Sequence, residues 1–114
     1  MAAYTAHFAK HVTATAAAAD SFLFDSYGKG IRVANRAPAS TNPIYFTVGK
    51  DLASTPVPTV GGDDTYVALP FTQSSTPWLD VAWPATSGGS TVCVRTIVTS
   101  ADVISVMVLS EPFG

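Results

Sequence analysis

The chain has 114 residues, 12% of them charged, with a net charge of −2 at pH 7 and one cysteine. This length predicts a single domain over residues 1–114 with one hydrophobic core. An intramolecular disulfide is excluded, and the six scattered Lys and Arg residues lack the basic stripe typical of nucleic-acid binding. No apolar run approaches the about 18 residues of a membrane span, and no leader pattern is visible, so folding in a cytoplasm is the expected default.

The N-terminal segment allows two interpretations. Its alanines favour a helix, and a helix across Ala14 to Ala19 is one alternative. Alternation of side-chain types fits a strand equally well, so we predict a first strand at about residues 8–15 after a flexible arm over residues 1–7. His7 and His11 would share one face of a helix, but no third ligand lies nearby, so no metal site is predicted.

Seven further runs are rich in β-branched, aromatic and alternating apolar residues, as strands are. Turns rich in Gly, Pro, Asn and Asp separate them. The predicted strands cover residues 21–26, 31–36, 44–48, 65–70, 78–84, 91–100 and 103–110. About eight short strands predict an all-β fold, a small antiparallel β-sandwich with Greek-key or jelly-roll-like connections.

Alternation along each run predicts which side chains face the core, because successive strand residues point to opposite faces. Val67 and Leu69 are predicted to face inward and Tyr66 outward. Trp78 and Trp83 fall on opposite faces, which predicts one tryptophan in the core and the other at a rim or interface. Ile44, Phe46 and Val48 are predicted to face the core, and Phe22 with Phe24, and Ile31 with Val33, are each predicted to share one face of their strand.

A long loop over residues 49–64 separates two predicted strands. Loops of this length in compact domains are usually functional or mobile. Pro56 and Pro58 favour an extended, stiff course. The loop also holds three aspartates, Asp51, Asp63 and Asp64. Carboxylates in loops bind Ca²⁺, but the spacing does not match an EF-hand, and turns capped by Asp explain the same residues. We predict no metal and no cofactor.

The last two predicted strands are apolar on both faces. In a small antiparallel sandwich such strands need cover from something besides their own core, which suggests a subunit interface. Cys93, between Val92 and Val94, is predicted to be a small buried hydrophobic residue rather than a nucleophile.

Catalytic signatures are missing from the sequence. It has no GxSxG, P-loop, GxGxxG or HExxH motif, only two His, and a single Glu. A hydrolase with paired carboxylates would require two Asp residues that come together in the fold. We therefore predict a structural or binding protein and not an enzyme. Low charge together with 11 Ser and 14 Thr favours a surface that packs against partners, and an ordinary Thr-rich β-domain is the alternative.

Several of these segments together resemble small virion proteins of tailed bacteriophages, particularly those infecting actinobacteria. The resemblance lies in the run AHFAKHVTATAAAADSFLF and in the segments Gly30 to Arg36, Ile44 to Val48, Pro58 to Asp64 and Thr65 to Pro70. It implies a β-sandwich of the virion that acts as a capsid decoration, or cement, protein. Such a protein binds the outside of the capsid lattice and stabilises it.

The resemblance further implies the major capsid protein and other copies of the chain, as a homotrimer, as partners, with no nucleic acid or membrane partner. The implied location is the capsid surface, after synthesis in the host cytoplasm. Alternatives are another virion component (tail, collar or head-to-tail protein) and a carbohydrate-binding β-sandwich module that uses a tryptophan. The residues predicted at interfaces are Tyr4, His7, Phe8, Leu52, Pro56, Val57, Pro58, Val60, Trp78, Ile104, Val106 and Val108.

Overall fold

A computed structural model describes residues 2–25, 28–83 and 91–109. Within these ranges the chain forms nine strands. They are β1 Ala3–Ala6, β2 Ala9–Thr13, β3 Asp20–Phe24, β4 Gly30–Asn35, β5 Ile44–Gly49, β6 Tyr66–Ala68, β7 Trp78–Ala82, β8 Val92–Ile97 and β9 Val103–Leu109. The predicted strand ends at residues 26, 84 and 110 lie outside the described ranges.

The strands form two sheets that share one hydrophobic core. The five-stranded sheet has the order β1-β3-β8-β5-β6, and the four-stranded sheet has the order β2-β9-β4-β7. Every pairing is antiparallel except that of β1 with β3. This architecture confirms the predicted all-β sandwich.

The N-terminal predictions need two corrections. Ala3–Ala6, predicted as part of a flexible arm, forms a strand that pairs in parallel with β3. The Tyr4 ring stacks on the buried ring of Phe22 with a centroid distance of 5.2 Å, which ties this strand to the core. No helix occurs in the described parts of the chain, so the helical alternative for Ala14 to Ala19 is wrong. Ala14 is buried in the core, and Ala16 forms a bridge with Val98.

The core is built from the inward faces of both sheets. The side chains of Phe22, Phe24 and Phe46 are almost fully buried, as their alternation predicts. Trp83 packs against the core while Trp78 is exposed, so the two tryptophans lie on opposite faces as predicted.

The predicted orientation of β6 is wrong. Tyr66 pairs with Phe46 and Ala68 with Ile44, and directly paired residues share a face. The even-numbered residues of β6 therefore face the core side, and Val67 points the other way.

A buried polar network joins two neighbouring loops. The Asn35 side chain, 0% exposed, accepts a hydrogen bond from the Ala37 N–H at 2.9 Å and donates to the Asn42 carbonyl at 3.1 Å. Asn35 also donates to the Ser40 hydroxyl, which in turn donates to the Asp102 carboxylate. The network fixes the loop after β4 against the loop before β9.

Candidate interaction surfaces

The long loop after β5 covers the outer face of the five-stranded sheet. Thr55, 2% exposed, lies at the centre of this contact. Its carbonyl accepts a hydrogen bond from the Arg95 guanidinium at 3.0 Å, and its hydroxyl donates to the Asp51 carbonyl at 2.5 Å. The Thr47 hydroxyl donates to the Pro56 carbonyl at 2.6 Å. The long loop of the chain itself thus covers the outer face of β8.

Asp51 closes the first turn of this loop. Its carboxylate accepts hydrogen bonds from the Ser54 N–H at 2.8 Å and the Ser54 hydroxyl at 2.7 Å. These bonds, the hydroxyl's first, lower the pKa of Asp51 because they stabilise its charged form. This is the capping role that the sequence suggested as the alternative to a cation site. No group of three metal-ligating side chains occurs in residues 2–25, 28–83 and 91–109.

Cys93 lies on the outer face of β8, under the long loop, and is fully buried. Burial raises the pKa of its thiol, although a hydrogen bond with the Thr55 side chain and the charge of Arg95 act in the opposite direction. A protonated, inaccessible thiol reacts slowly. This placement agrees with the predicted buried residue and makes Cys93 a reporter of loop opening.

Gly49 allows the loop to approach the sheet. A Cβ atom there would lie 2.3 Å from the Thr55 hydroxyl oxygen and 3.3 Å from the Thr55 Cα. We expect Gly49→Ala to push the loop away and to lower the free energy of unfolding by about 1–3 kcal/mol. Reaction of Cys93 with an aromatic disulfide reagent should become faster. Lys50→Ala, a neighbouring exposed change, is the control, and equal thiol reactivity of both variants would contradict this packing.

The outward side of the loop is exposed and mixes apolar with acidic residues. We call Leu52, Val57, Val60, Asp63 and Asp64 the loop surface. The three apolar side chains are 41%, 57% and 48% exposed in that order, and both aspartates are exposed. Large apolar side chains exposed on one loop make it a candidate interaction site.

The outer face of the four-stranded sheet forms a second surface. One row across the sheet, set by strand register, consists of His11, Ser105, Ala34 and Trp78. In this row the middle strands carry the small, buried Ser105 and Ala34, and the edge strands carry the larger His11 and Trp78. The row therefore forms a depression between higher edges.

Two adjoining cavities occupy this depression, and Arg36 lines both. One has a volume of about 490 Å³ and the other about 320 Å³. We call the pair the sheet groove. Its lining includes His11, Arg36, Val103 and Ser105 in the first cavity, and Arg32, Ala34, Phe71, Pro77, Trp78 and Met107 in the second.

The polar groups of the sheet groove are held in place. Arg32 donates two hydrogen bonds to Asp80, from Nε at 2.7 Å and from Nη2 at 2.8 Å, and its guanidinium lies 5.0 Å from the centroid of the Trp78 ring. The hydrogen bonds and charge of Asp80 raise the pKa of Arg32 despite burial. His11 Nδ1 lies 2.6 Å from the Ser105 hydroxyl oxygen.

The ion pair of Arg32 with Asp80 should contribute modestly to stability. We expect Asp80→Asn to lower the free energy of unfolding by about 0.5–1 kcal/mol, because the pair is partly solvated. Added salt should reduce the difference between wild type and variant, measured by urea unfolding. A loss unaffected by salt would show that packing and not charge is involved.

The structure separates the predicted interface residues into two groups. Exposed in the chain are His7, Phe8, Leu52, Pro56, Val57, Val60 and Trp78. Buried or packed on the core are Tyr4, Pro58, Ile104, Val106 and Val108.

For β9 the prediction needs correction. Ile104 and Val106 are 0% exposed because even-numbered β9 residues face the core, so neither is available to a partner. The face of β9 open to contacts is the odd-numbered one, which includes Val103 and Met107. Sequence reasoning missed Arg36, Phe71 and Met107, which come from distant parts of the sequence and line one cavity.

His7 lies at the β1–β2 corner beside Phe8. Its Nδ1 is 2.5 Å from an oxygen of Asp25, and both side chains are largely exposed. Phe8 is 65% exposed.

No helix in the described chain is long and apolar enough to cross a membrane. Comparison of the chain with protein families, curated proteins and solved structures finds no match.

Proposed function

We propose that this chain is a structural protein of a phage virion, a decoration protein that binds the outside of the capsid lattice. The observation that carries this proposal is the pair of exposed, mainly apolar surfaces on opposite faces of the sandwich. The loop surface lies over the five-stranded sheet and the sheet groove on the four-stranded sheet. A small domain with contact surfaces on two opposite faces can bridge two neighbours.

The low charge of the chain supports this role. With 12% charged residues, its surface offers little electrostatic repulsion to a crowded lattice. The partners are the major capsid protein and further copies of the chain, as a homotrimer. Binding stabilises the shell by mass action, because the decoration protein binds the assembled lattice and not its separated subunits. The proposal involves no catalysis and no cofactor.

The test is a binding experiment with undecorated capsids. The purified protein is mixed with them, and the copies bound per particle are counted by quantitative gel analysis and cryo-EM. We expect saturation at a number fixed by lattice symmetry. Leu52→Asp should reduce binding, because it places a charge on an exposed apolar side chain of the loop surface, whereas Ala39→Asp, on another exposed loop, should not. Density in the tail or collar, with none on the shell, would overturn the proposal.

A carbohydrate-binding module is the second candidate. It is favoured by one exposed tryptophan, Trp78, next to the ordered polar pair of Arg32 and Asp80. Aromatic rings beside hydrogen-bonding side chains suit sugar rings. This candidate requires glycan binding that is lost in Trp78→Ala. Glycan binding without capsid binding would favour it over decoration.

A further inference from the structure

The two surfaces differ in charge as well as in position. In the sheet groove, Asp80 neutralises Arg32, whereas Arg36 has no ion-pair partner in the described parts of the chain. On the loop surface, Asp63 and Asp64 likewise have no ion-pair partner within those ranges. The groove therefore has a free positive charge and the loop surface has two free negative charges.

The apolar parts also fit each other. Val57 and Val60 project from the loop surface next to the acidic turn. The cavity of about 320 Å³ in the sheet groove has apolar walls and Arg36 at one side. Those apolar walls are formed by Ala34, Phe71, Pro77, Trp78 and Met107. Apolar centres with charges at the rim are typical of protein interfaces.

We propose that the loop surface of one copy docks into the sheet groove of a second copy of this chain. Val57 and Val60 fill the apolar cavity, and Asp63 and Asp64 pair with Arg36 and His11. Within one chain this contact is impossible, because the two surfaces lie on outer faces of different sheets. Packed sheets are about 10 Å apart, and each surface points away from the other.

This contact has a definite symmetry. It joins two different surfaces, so it is heterologous, and head-to-tail contacts of this kind close into rings when the rotation permits. A cyclic trimer is such a ring, whereas an isologous contact gives dimers. The inference concerns contacts between copies and is tested on purified protein, so its failure leaves capsid binding to be judged separately.

Charge reversal on each surface is the experiment. Oligomer formation of the purified protein is measured by sedimentation velocity and light scattering over a range of concentrations. Arg36→Glu should raise the dissociation constant about tenfold or more, since like charges then oppose each other. Asp63→Lys with Asp64→Lys should have the same effect. Lys29→Glu, the same charge change outside the groove, should alter it less than about twofold.

Combining the substitutions of both surfaces shows whether the loop surface and the sheet groove contact each other. A chain carrying all three reversals restores opposite charges across the contact and should recover an affinity within about threefold of wild type. An equimolar mixture of Arg36→Glu chains and loop-reversed chains should associate more tightly than either variant alone, because two of the three contacts in a mixed trimer then join opposite charges. If Arg36→Glu fails to fold by circular dichroism, Arg36→Gln keeps the size, removes the charge, and should weaken association by a smaller factor.

Three results would overturn the inference. The first is a protein that stays monomeric at every soluble concentration. The second is an Arg36 variant that associates as the Lys29 variant does. The third is a recombined chain that remains as weak as the single-surface variants, which would place the contact elsewhere. Capsids that still bind a monomeric protein would retain the decoration proposal while this contact is rejected.

Discussion

Replacing Phe46 with alanine should lower the free energy of unfolding by about 3–5 kcal/mol, the loss expected for a fully buried aromatic ring. Phe46 is 0% exposed in the middle of β5, and its ring centroid lies 5.4 Å from that of Tyr66. Phe46 is surrounded by two hydrogen-bonded sheets. These sheets do not close the cavity that loss of the ring would leave. Such a loss is a large part of the stability of a domain of this size.

The measurement is chemical unfolding followed by tryptophan fluorescence, with Phe8→Ala as the matched control. Phe8 is 65% exposed, so the same truncation there should change stability by less than about 0.5 kcal/mol. Equal effects of the two substitutions would mean that the core is not centred between the sheets as described.

Asn35→Ala should cost about 2–3 kcal/mol, although it removes few atoms. The substitution leaves the Ala37 N–H and the Asn42 carbonyl without their present partner, and it removes one of the hydrogen bonds of the buried Ser40 hydroxyl, which keeps its bond to Asp102. Unsatisfied buried polar groups lower stability because they have given up their hydrogen bonds to water on folding and have no protein partner in exchange.

Urea unfolding tests this expectation, and hydrogen exchange of the Ala37 amide reports the local effect. Thr41→Ala, an exposed change in the same loop, should be within about 0.5 kcal/mol of wild type. If Asn35→Ala unfolds like Thr41→Ala, water has replaced the side chain and the network contributes little.

Strand positions were predictable from the sequence because most strands here are amphipathic or rich in β-branched residues. The alternation of Phe22 with Leu23, and of Trp78 with Leu79, gave the correct faces. In β6 it failed because three residues carry little periodic information, and pairing with β5 decides which side chains point inward. β1 was missed because its partner β3 pairs with it in parallel from a distant part of the sequence.

The candidate surfaces were predictable to different degrees. Length and proline content identified the loop surface directly. The sheet groove could not be found in this way, because His11, Arg36, Phe71, Trp78 and Met107 come from five separate segments. The register of the four strands places His11, Trp78 and Met107 on one face, and the loops that follow β4 and β6 bring Arg36 and Phe71 to it. The apolar character of β9 was recognised, but which of its two faces is open depends on that same register.

The position of β2 has a consequence for how the protein is made. Among the described strands β2 pairs with β9 alone, with Ala9 opposite Met107, so β2 must wait until residues 103–109 have left the ribosome. The four-stranded sheet cannot be completed during synthesis before that point. Folding governed by such distant pairings is slow, on the order of milliseconds to seconds. Until then β2 and β4 have exposed edges, and a nascent chain stalled before residue 103 should depend on chaperones.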